Sequence, residues 1–136
     1  MPTEAHKPGS EETHADPNQL DERAFVARVF RHESDAVARL AETLDGRYTK
    51  AVDLICACAD AGGTVLVSGL GKSGWIGSKI SATMASLGLP SHAVHPTEAA
   101  HGDLGRFRTS DLAVCLSHSG ETEEVVALAS ILRQDG

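Results

Sequence analysis

Residues 64 to 74 read Thr64-Val65-Leu66-Val67-Ser68-Gly69-Leu70-Gly71-Lys72-Ser73-Gly74. The β-branched and apolar run from Thr64 to Ser68 predicts a short strand buried on both faces. It feeds without a spacer into a glycine turn, and the residues after the turn predict a helix to about Leu87, closed by Gly88 and Pro90. Strand, glycine turn and helix together open an α/β unit with a parallel sheet. Ligands of such sheets lie at the C-terminal ends of the strands.

Downstream the pattern repeats. Ser91 to His95 predicts a second strand, stopped by Pro96, and Leu112 to Ser117 a third. The third strand enters Ser119-Gly120-Glu121-Thr122 and a helix to about Arg133. Upstream, Phe25, Val26, Val29, Phe30, Val37, Leu40 and Leu44 recur at helical spacing. Asp45-Gly46 breaks that helix. A second runs from about Arg47 to Ala61, with Ala51, Leu54, Ile55 and Cys58 on its predicted buried stripe, and Gly62-Gly63 ends it. Residues 1 to about 20 carry Pro2, Pro8 and Pro17 among Thr, Glu, Ser and His, a composition that predicts a disordered tail. The folded part is therefore expected over residues 21–136. The third strand is nearly all apolar, as a strand with neighbours on both sides would be, yet one helix is all that follows it. That combination predicts a partial domain, or one completed by another chain.

With 136 residues there is room for one domain, and 41% hydrophobic with 23% charged residues is ordinary for a globular chain. The net charge of -7 argues against nucleic acid as a partner, because such binding leaves a basic footprint. It does not oppose a small anion held by a local cluster of backbone N–H groups and a lysine. Cys56, Cys58 and Cys115 are odd in number and form no CxxC pair, so buried free thiols in a reducing cytoplasm are expected. No apolar run approaches the roughly 20 residues of a membrane span, and the first residues lack the apolar core of a secretory signal.

Three segments carry chemistry. In Gly69-Leu70-Gly71-Lys72-Ser73-Gly74, free N–H groups and a helix dipole attract anions. A dinucleotide site would need an acidic residue about 20 positions on; that region holds His92 and His95 instead. A nucleoside-triphosphate loop would need a glycine where Leu66 stands. A sugar-phosphate site with Lys72 beside the substrate, or a plain glycine-rich turn, remain. In Ser117-His118-Ser119-Gly120-Glu121-Thr122, three hydroxyls and a helix start suit phosphate oxygens, while Ser119 taken alone is an ordinary helix cap. In His95-Pro96-Thr97-Glu98-Ala99-Ala100-His101-Gly102-Asp103-Leu104-Gly105, the histidines lack the spacing of one helical metal-binding face. A positioned imidazole for substrate binding or proton transfer, or a surface histidine in a loop, are the alternatives there.

Taken together and in this order, GLGKSG, HPTEAAHGDLG and SHSGET resemble the SIS (sugar isomerase) domain of the arabinose-5-phosphate isomerases over about residues 25 to 136. The resemblance implies a three-layer, flavodoxin-like parallel α/β fold and a homo-oligomer, dimer or tetramer, with active sites at subunit interfaces. The implied reaction interconverts D-ribulose 5-phosphate and D-arabinose 5-phosphate through an enediol, on the route to Kdo, with no cofactor and no metal. By resemblance Ser117, Ser119 and Thr122 hold the phosphate, with Gly71 and Ser73 in the first loop. Lys72 contacts the substrate, His101 enters a neighbouring subunit's site, and Glu124 matches a catalytic carboxylate. His118 departs from the small polar residue usual between the serines. The family's second catalytic carboxylate and a further histidine fall beyond residue 136. A sugar-phosphate-binding regulatory module without catalysis is the alternative function.

Overall fold

The computed structural model describes residues 21–135; the segment predicted as a disordered tail lies outside them. Contacts divide the chain into two units that meet between Leu44 and Asp45. The first holds helix α1, Glu22–Glu42, capped by the Asp21 carboxylate, which accepts from the Ala24 N–H at 3.1 Å. Its apolar residues fall at the predicted helical spacing, and no residue of α1 is buried.

The second unit begins with α2, Gly46–Asp60, whose Asp45 cap accepts from the Arg47 N–H at 2.9 Å. The helix closes at Gly62, in a left-handed conformation (φ 70°), with the Gly63 N–H reaching back to the Cys58 carbonyl at 2.9 Å. This is the glycine stop that the Gly62-Gly63 pair predicts. The predicted stripe is only half right. Cys58 is buried and Ile55 half-buried, whereas Ala51 and Leu54 are exposed, because only the last turns of α2 reach the sheet. Cys56 is also exposed: two residues from Cys58 on a helix, it faces away from the core. The expectation of three buried thiols therefore holds for Cys58, in part for Cys115, and not for Cys56.

Strands β1 (Val65–Gly69), β2 (Ser91–Val94) and β3 (Leu112–Leu116) form a parallel sheet in the order β2-β1-β3. Between them run α3 (Lys72–Ser86), the short α4 (Pro96–Ala100) and a 3-10 turn (Asp103–Arg106), and α5 (Glu123–Asp135) follows β3. Strand alternation sends β1 side chains to two cores. Val65 and Val67 pack with Cys58, Ile80 and Met84 of α2 and α3, while Leu66 packs with Val94, Ala99 and Leu128 on the α4–α5 side. Three layers result, and all of β1 is buried. Burying valine and leucine side chains completely is worth roughly 1.5–3 kcal/mol each. Among the described residues β3 pairs on one side only, with β1, and it is half-buried, apart from an exposed Ala113. No described helix is long and apolar enough to cross a membrane.

Side chains clip the entry ends of the strands together. The Asp111 carboxylate accepts from the Thr64 N–H at 2.8 Å and the Arg108 N–H at 2.9 Å, aligning the starts of β1 and β3. Ser91 Oγ lies 2.7 Å from the Val65 carbonyl oxygen and 3.0 Å from Ser81 Oγ, tying β2 to β1 and α3. Ser68 differs: its hydroxyl is buried and, among the described residues, has no partner.

Two stability predictions follow from these contacts. Asp111→Ala strands two backbone donors, so urea denaturation should show a loss of roughly 1–3 kcal/mol. Ser68→Ala removes a buried hydroxyl that has no partner among the described residues. The same measurement should show unchanged or raised stability, and a loss above about 1 kcal/mol would reveal a hidden partner.

Candidate functional site

The turn after β1 depends on close backbone approach. A Cβ on Gly74 would lie 2.7 Å from the Gly69 carbonyl oxygen, and one on Gly69 would lie 2.9 Å from the Ser73 carbonyl carbon. Side chains at either position would force the turn open. Gly71 caps α3 at φ 57° and ψ -125°, a region glycine adopts readily and other residues rarely. The first intrahelical bond of α3 is Trp75 N–H to the Gly71 carbonyl, at 3.3 Å. The N–H groups of Lys72, Ser73 and Gly74 precede it and are free for an anion at the end of β1.

The turn after β3 is built from side-chain hydroxyls. Ser117 Oγ and Thr122 Oγ1 share a hydrogen bond of 2.8 Å, and Ser117 Oγ also accepts from the Gly120 N–H at 3.0 Å. Ser119 Oγ accepts from the Glu121 N–H at 3.1 Å. Gly120 (φ 74°) supplies the left-handed residue that closes the loop. Helix α5 then begins, its first intrahelical bond running from the Val126 N–H to the Thr122 carbonyl at 2.9 Å. The Glu123 and Glu124 carboxylates occupy its first turn, where the helix dipole favours negative charge. Ser117, Ser119 and Thr122 are thus gathered on one loop, with two of the three hydroxyls already in contact.

Because β1 and β3 are parallel neighbours, the loops that follow them leave the same end of the sheet, with Lys72 at the start of α3 and Glu124 at the start of α5. His101 caps the C-terminal end of α4. Lys72, His101 and Glu124 are all exposed, and no side-chain hydrogen bond or ion pair engages them among the described residues. His118 is exposed too. Cys115 belongs to the α5 face of β3, where burial pushes its thiol above the usual range; a protonated thiol there is a packing residue and a poor nucleophile.

The histidine segment is a short helix and a 3-10 turn, in keeping with a stretch that reads as neither strand nor long helix. His95 ends β2 early because it serves as the cap of α4. Among the described residues no three His, Cys, Asp or Glu side chains gather as metal ligands. The segment and the glycine turn do meet. His95 and Glu98 line a cavity of about 370 Å³ with Gly69, Gly71 and Gly74. Trp75 and Ser78 complete its wall. Sequence reasoning passed over these two, although Trp75 follows the glycine turn directly and is the chain's single tryptophan.

Comparison with known proteins places this arrangement. The chain is 41% identical over 135 residues to arabinose 5-phosphate isomerase KpsF of Escherichia coli O6:H1, covering 98% of this chain and 39% of that protein. It is 44% identical over 117 residues to arabinose 5-phosphate isomerase KdsD of Pseudomonas aeruginosa, covering 86% of this chain and 35% of that one. The chain thus spans about two-fifths or less of the length of these curated relatives. Among solved structures, an Escherichia coli CFT073 protein in complex with A5P superposes with a TM-score of 0.79 at 35% identity, over 88% of this chain and 62% of that one. The SIS domain family model matches residues 58–136, from the last three residues of α2 through β1 and both loops to the end of α5, and the chain belongs to the SIS domain family.

Proposed function

We propose that this chain is the sugar-phosphate-binding part of an aldose–ketose isomerase that interconverts D-ribulose 5-phosphate and D-arabinose 5-phosphate. The observation that carries the proposal is the Ser117–Thr122 loop. It is a cluster of hydroxyls at a helix start, beside a second helix start that bears Lys72. Relatives named arabinose 5-phosphate isomerase and a similar structure holding A5P support the choice of substrate.

In this reading Ser117, Ser119 and Thr122 grip the phosphate with the free N–H groups of α5, and Gly71 and Ser73 contribute from the first loop. A fixed phosphate holds the carbon chain in one register, which converts proton transfer into an intramolecular step. Isomerisation moves a proton between C1 and C2 through an enediol. Glu124 serves as base, and Lys72 steadies the oxyanion that develops on the neighbouring oxygen. His101 acts from a neighbouring copy of the chain, making the working enzyme a homo-oligomer, in the cytoplasm and on the route to Kdo. The exposed, mutually unbonded state of Lys72, Glu124 and His101 in the single chain is consistent with a site completed by further protein.

The direct test is a discontinuous assay for arabinose 5-phosphate formed from ribulose 5-phosphate, with Lys72→Ala as control. Product that the control fails to make is the expected outcome, with Glu124→Gln slower by about 10²–10⁴. Binding of arabinose 5-phosphate without turnover would favour a regulatory module. A second prediction isolates the phosphate grip. Ser117→Ala should weaken arabinose 5-phosphate binding by roughly tenfold or more, as expected for a lost hydrogen bond to a charged group. It should also lower the unfolding midpoint modestly because Thr122 Oγ1 and the Gly120 N–H lose their partner, so affinity is measured at a temperature where circular dichroism shows the variant folded. Unchanged affinity in calorimetry would place the phosphate elsewhere.

A further inference from the structure

We infer that the cavity walled by His92, Arg106 and Arg108, on the sheet face that carries α4 and α5, is a binding site for a small organic acid. The acid's carboxylate or phosphate headgroup lies against the guanidinium groups, and its body rests on Leu66 and Val94 of the sheet. The inference is independent of the sugar-phosphate reading above and concerns a second ligand at a second place.

The cavity holds about 560 Å³ and takes its floor from Thr64 and Leu66 at the entry half of β1 and from His92 and Val94 of β2. Leu66 and His92 are paired in register, so their side chains leave the same face of the sheet. Leu66 packs toward α4 and α5. The glycine-turn cavity lies on the other side, where Val67 packs toward α3 and Trp75 and Ser78 complete the wall. The hydroxyl loop is also remote. It follows Leu116 at the exit of β3, whereas Asp111, on the wall of this cavity, precedes the entry of that strand. Five residues of strand, roughly 15 Å, separate the two.

The wall is held in place without a ligand. Phe107 is extended (φ -90°, ψ 134°) and packs on the core around Leu66 and Leu128, with Arg106 and Arg108 on either side of it at the cavity. The turn that follows is closed twice. The Arg108 N–H donates to the Asp111 carboxylate at 2.9 Å, and the Asp111 N–H donates to the Arg108 carbonyl at 2.9 Å. The same carboxylate accepts from the Thr64 N–H, which ties the turn to β1. The Arg108 backbone is thus fixed, while its guanidinium has neither hydrogen bond nor ion pair among the described residues. Arg106 gives only its Nε to Asp103, at 3.3 Å, in a pair whose side chains are 58% and 39% exposed. Such a pair contributes little and leaves the terminal N–H groups of Arg106 open.

Charge selects the class of ligand. The chain has 12 lysines and arginines against 19 aspartates and glutamates, so two arginines on one cavity run against its overall balance. Two carboxylates oppose them, Asp103 and Asp111. Asp103 is matched by Arg106, and each oxygen of Asp111 already accepts a backbone N–H. The Arg108 fork and an N–H of the His92 imidazole are the donors that remain, a set that suits the oxygens of a carboxylate or phosphate. Leu66 and Val94 beneath them favour an acid with an apolar body over a bare ion.

Benzoate and phenyl phosphate test the inference, since they share one ring and differ in headgroup, and benzamide is the uncharged control. Binding is read from the methyl NMR signals of Leu66 and Val94 on the cavity floor, with those of Leu116 and Val125 reporting on the hydroxyl loop. The expected result is a saturable shift of Leu66 and Val94 with benzoate, phenyl phosphate or both, and none with benzamide. A tighter response to one of the two acids assigns the headgroup. Arg108→Gln, which removes a side chain without partners, should leave the fold unchanged and weaken binding by about tenfold or more. Arg108→Lys should recover only part of the loss, because it restores the charge without the planar fork. Equal binding of benzamide, or full affinity in Arg108→Gln, would overturn the inference and leave an apolar crevice. Absence of any shift at tens of millimolar probe, or shifts confined to Leu116 and Val125, would overturn it as well. Shifts of Leu66 and Val94 that follow protein concentration without probe would do the same, by assigning this face to a contact between copies.

Discussion

Every element from α2 to α5 takes its position from β1. Its five residues lie in the interior, paired to β2 on one edge and β3 on the other, with α2 and α3 over one face and α4 and α5 over the other. No polar side chain longer than serine fits in such a strand, and its backbone donors and acceptors are satisfied by the two neighbours. The strand can end only where the chain can turn sharply without a side chain in the way. That requirement produces Gly69 and Gly74, whose backbones nearly touch, and Gly77, where a Cβ would sit 3.1 Å from Val67 Cγ1. The glycine turn thus serves packing first. Its anion-attracting N–H groups come with the geometry.

Local electrostatics explain how an acidic chain can offer sites for phosphate. The net charge of -7 acts at long range and is screened within about 10 Å at ordinary ionic strength. At the ends of β1 and β3 the chain presents two helix starts, a lysine and three hydroxyls, the groups to which the proposed function assigns the phosphate. The first-turn glutamates of α5 then have two tasks that pull in opposite directions. They stabilise the helix start, and they raise the local negative potential beside a phosphate. A carboxylate kept in such a place is reasonable where proton transfer needs one, which is why Glu124 carries the base role in the proposed reaction.

Particular residues show how far sequence reasoning reached. The β1 run and the Gly62-Gly63 stop were legible because each is dictated by chemistry within a few residues. The hydroxyl loop was also legible, since Ser117, Ser119 and Thr122 lie within six consecutive positions and a helix start orients them. Ala51, Leu54 and Cys56 were misread, because periodicity says that a helix has an apolar face but not how much of that face finds a neighbour. Trp75 and Ser78 were overlooked for a related reason. They stand three apart on α3, and only the placement of β2 beside β1 brings His95 and Glu98 across from them.

From sequence alone came the parallel α/β class, the order of the three strands with α2, α3 and α5 (though not the short α4 and the 3-10 turn, where a loop was expected), and the two loops with the chemistry of an anion site. These follow from hydrophobic period, from glycine's freedom at positive φ, and from side-chain hydroxyls at helix starts, all properties of short stretches of chain. Tertiary structure decided the order β2-β1-β3, which makes the two loops neighbours and gives β3 a single partner among the described residues. It also decided that Asp111 would join the entries of β1 and β3, that Ser68 would be buried without a partner among the described residues, and that the glycine turn and the histidine segment would share one cavity. Each of these depends on residues far apart in the chain, and no local pattern carries the distance between them.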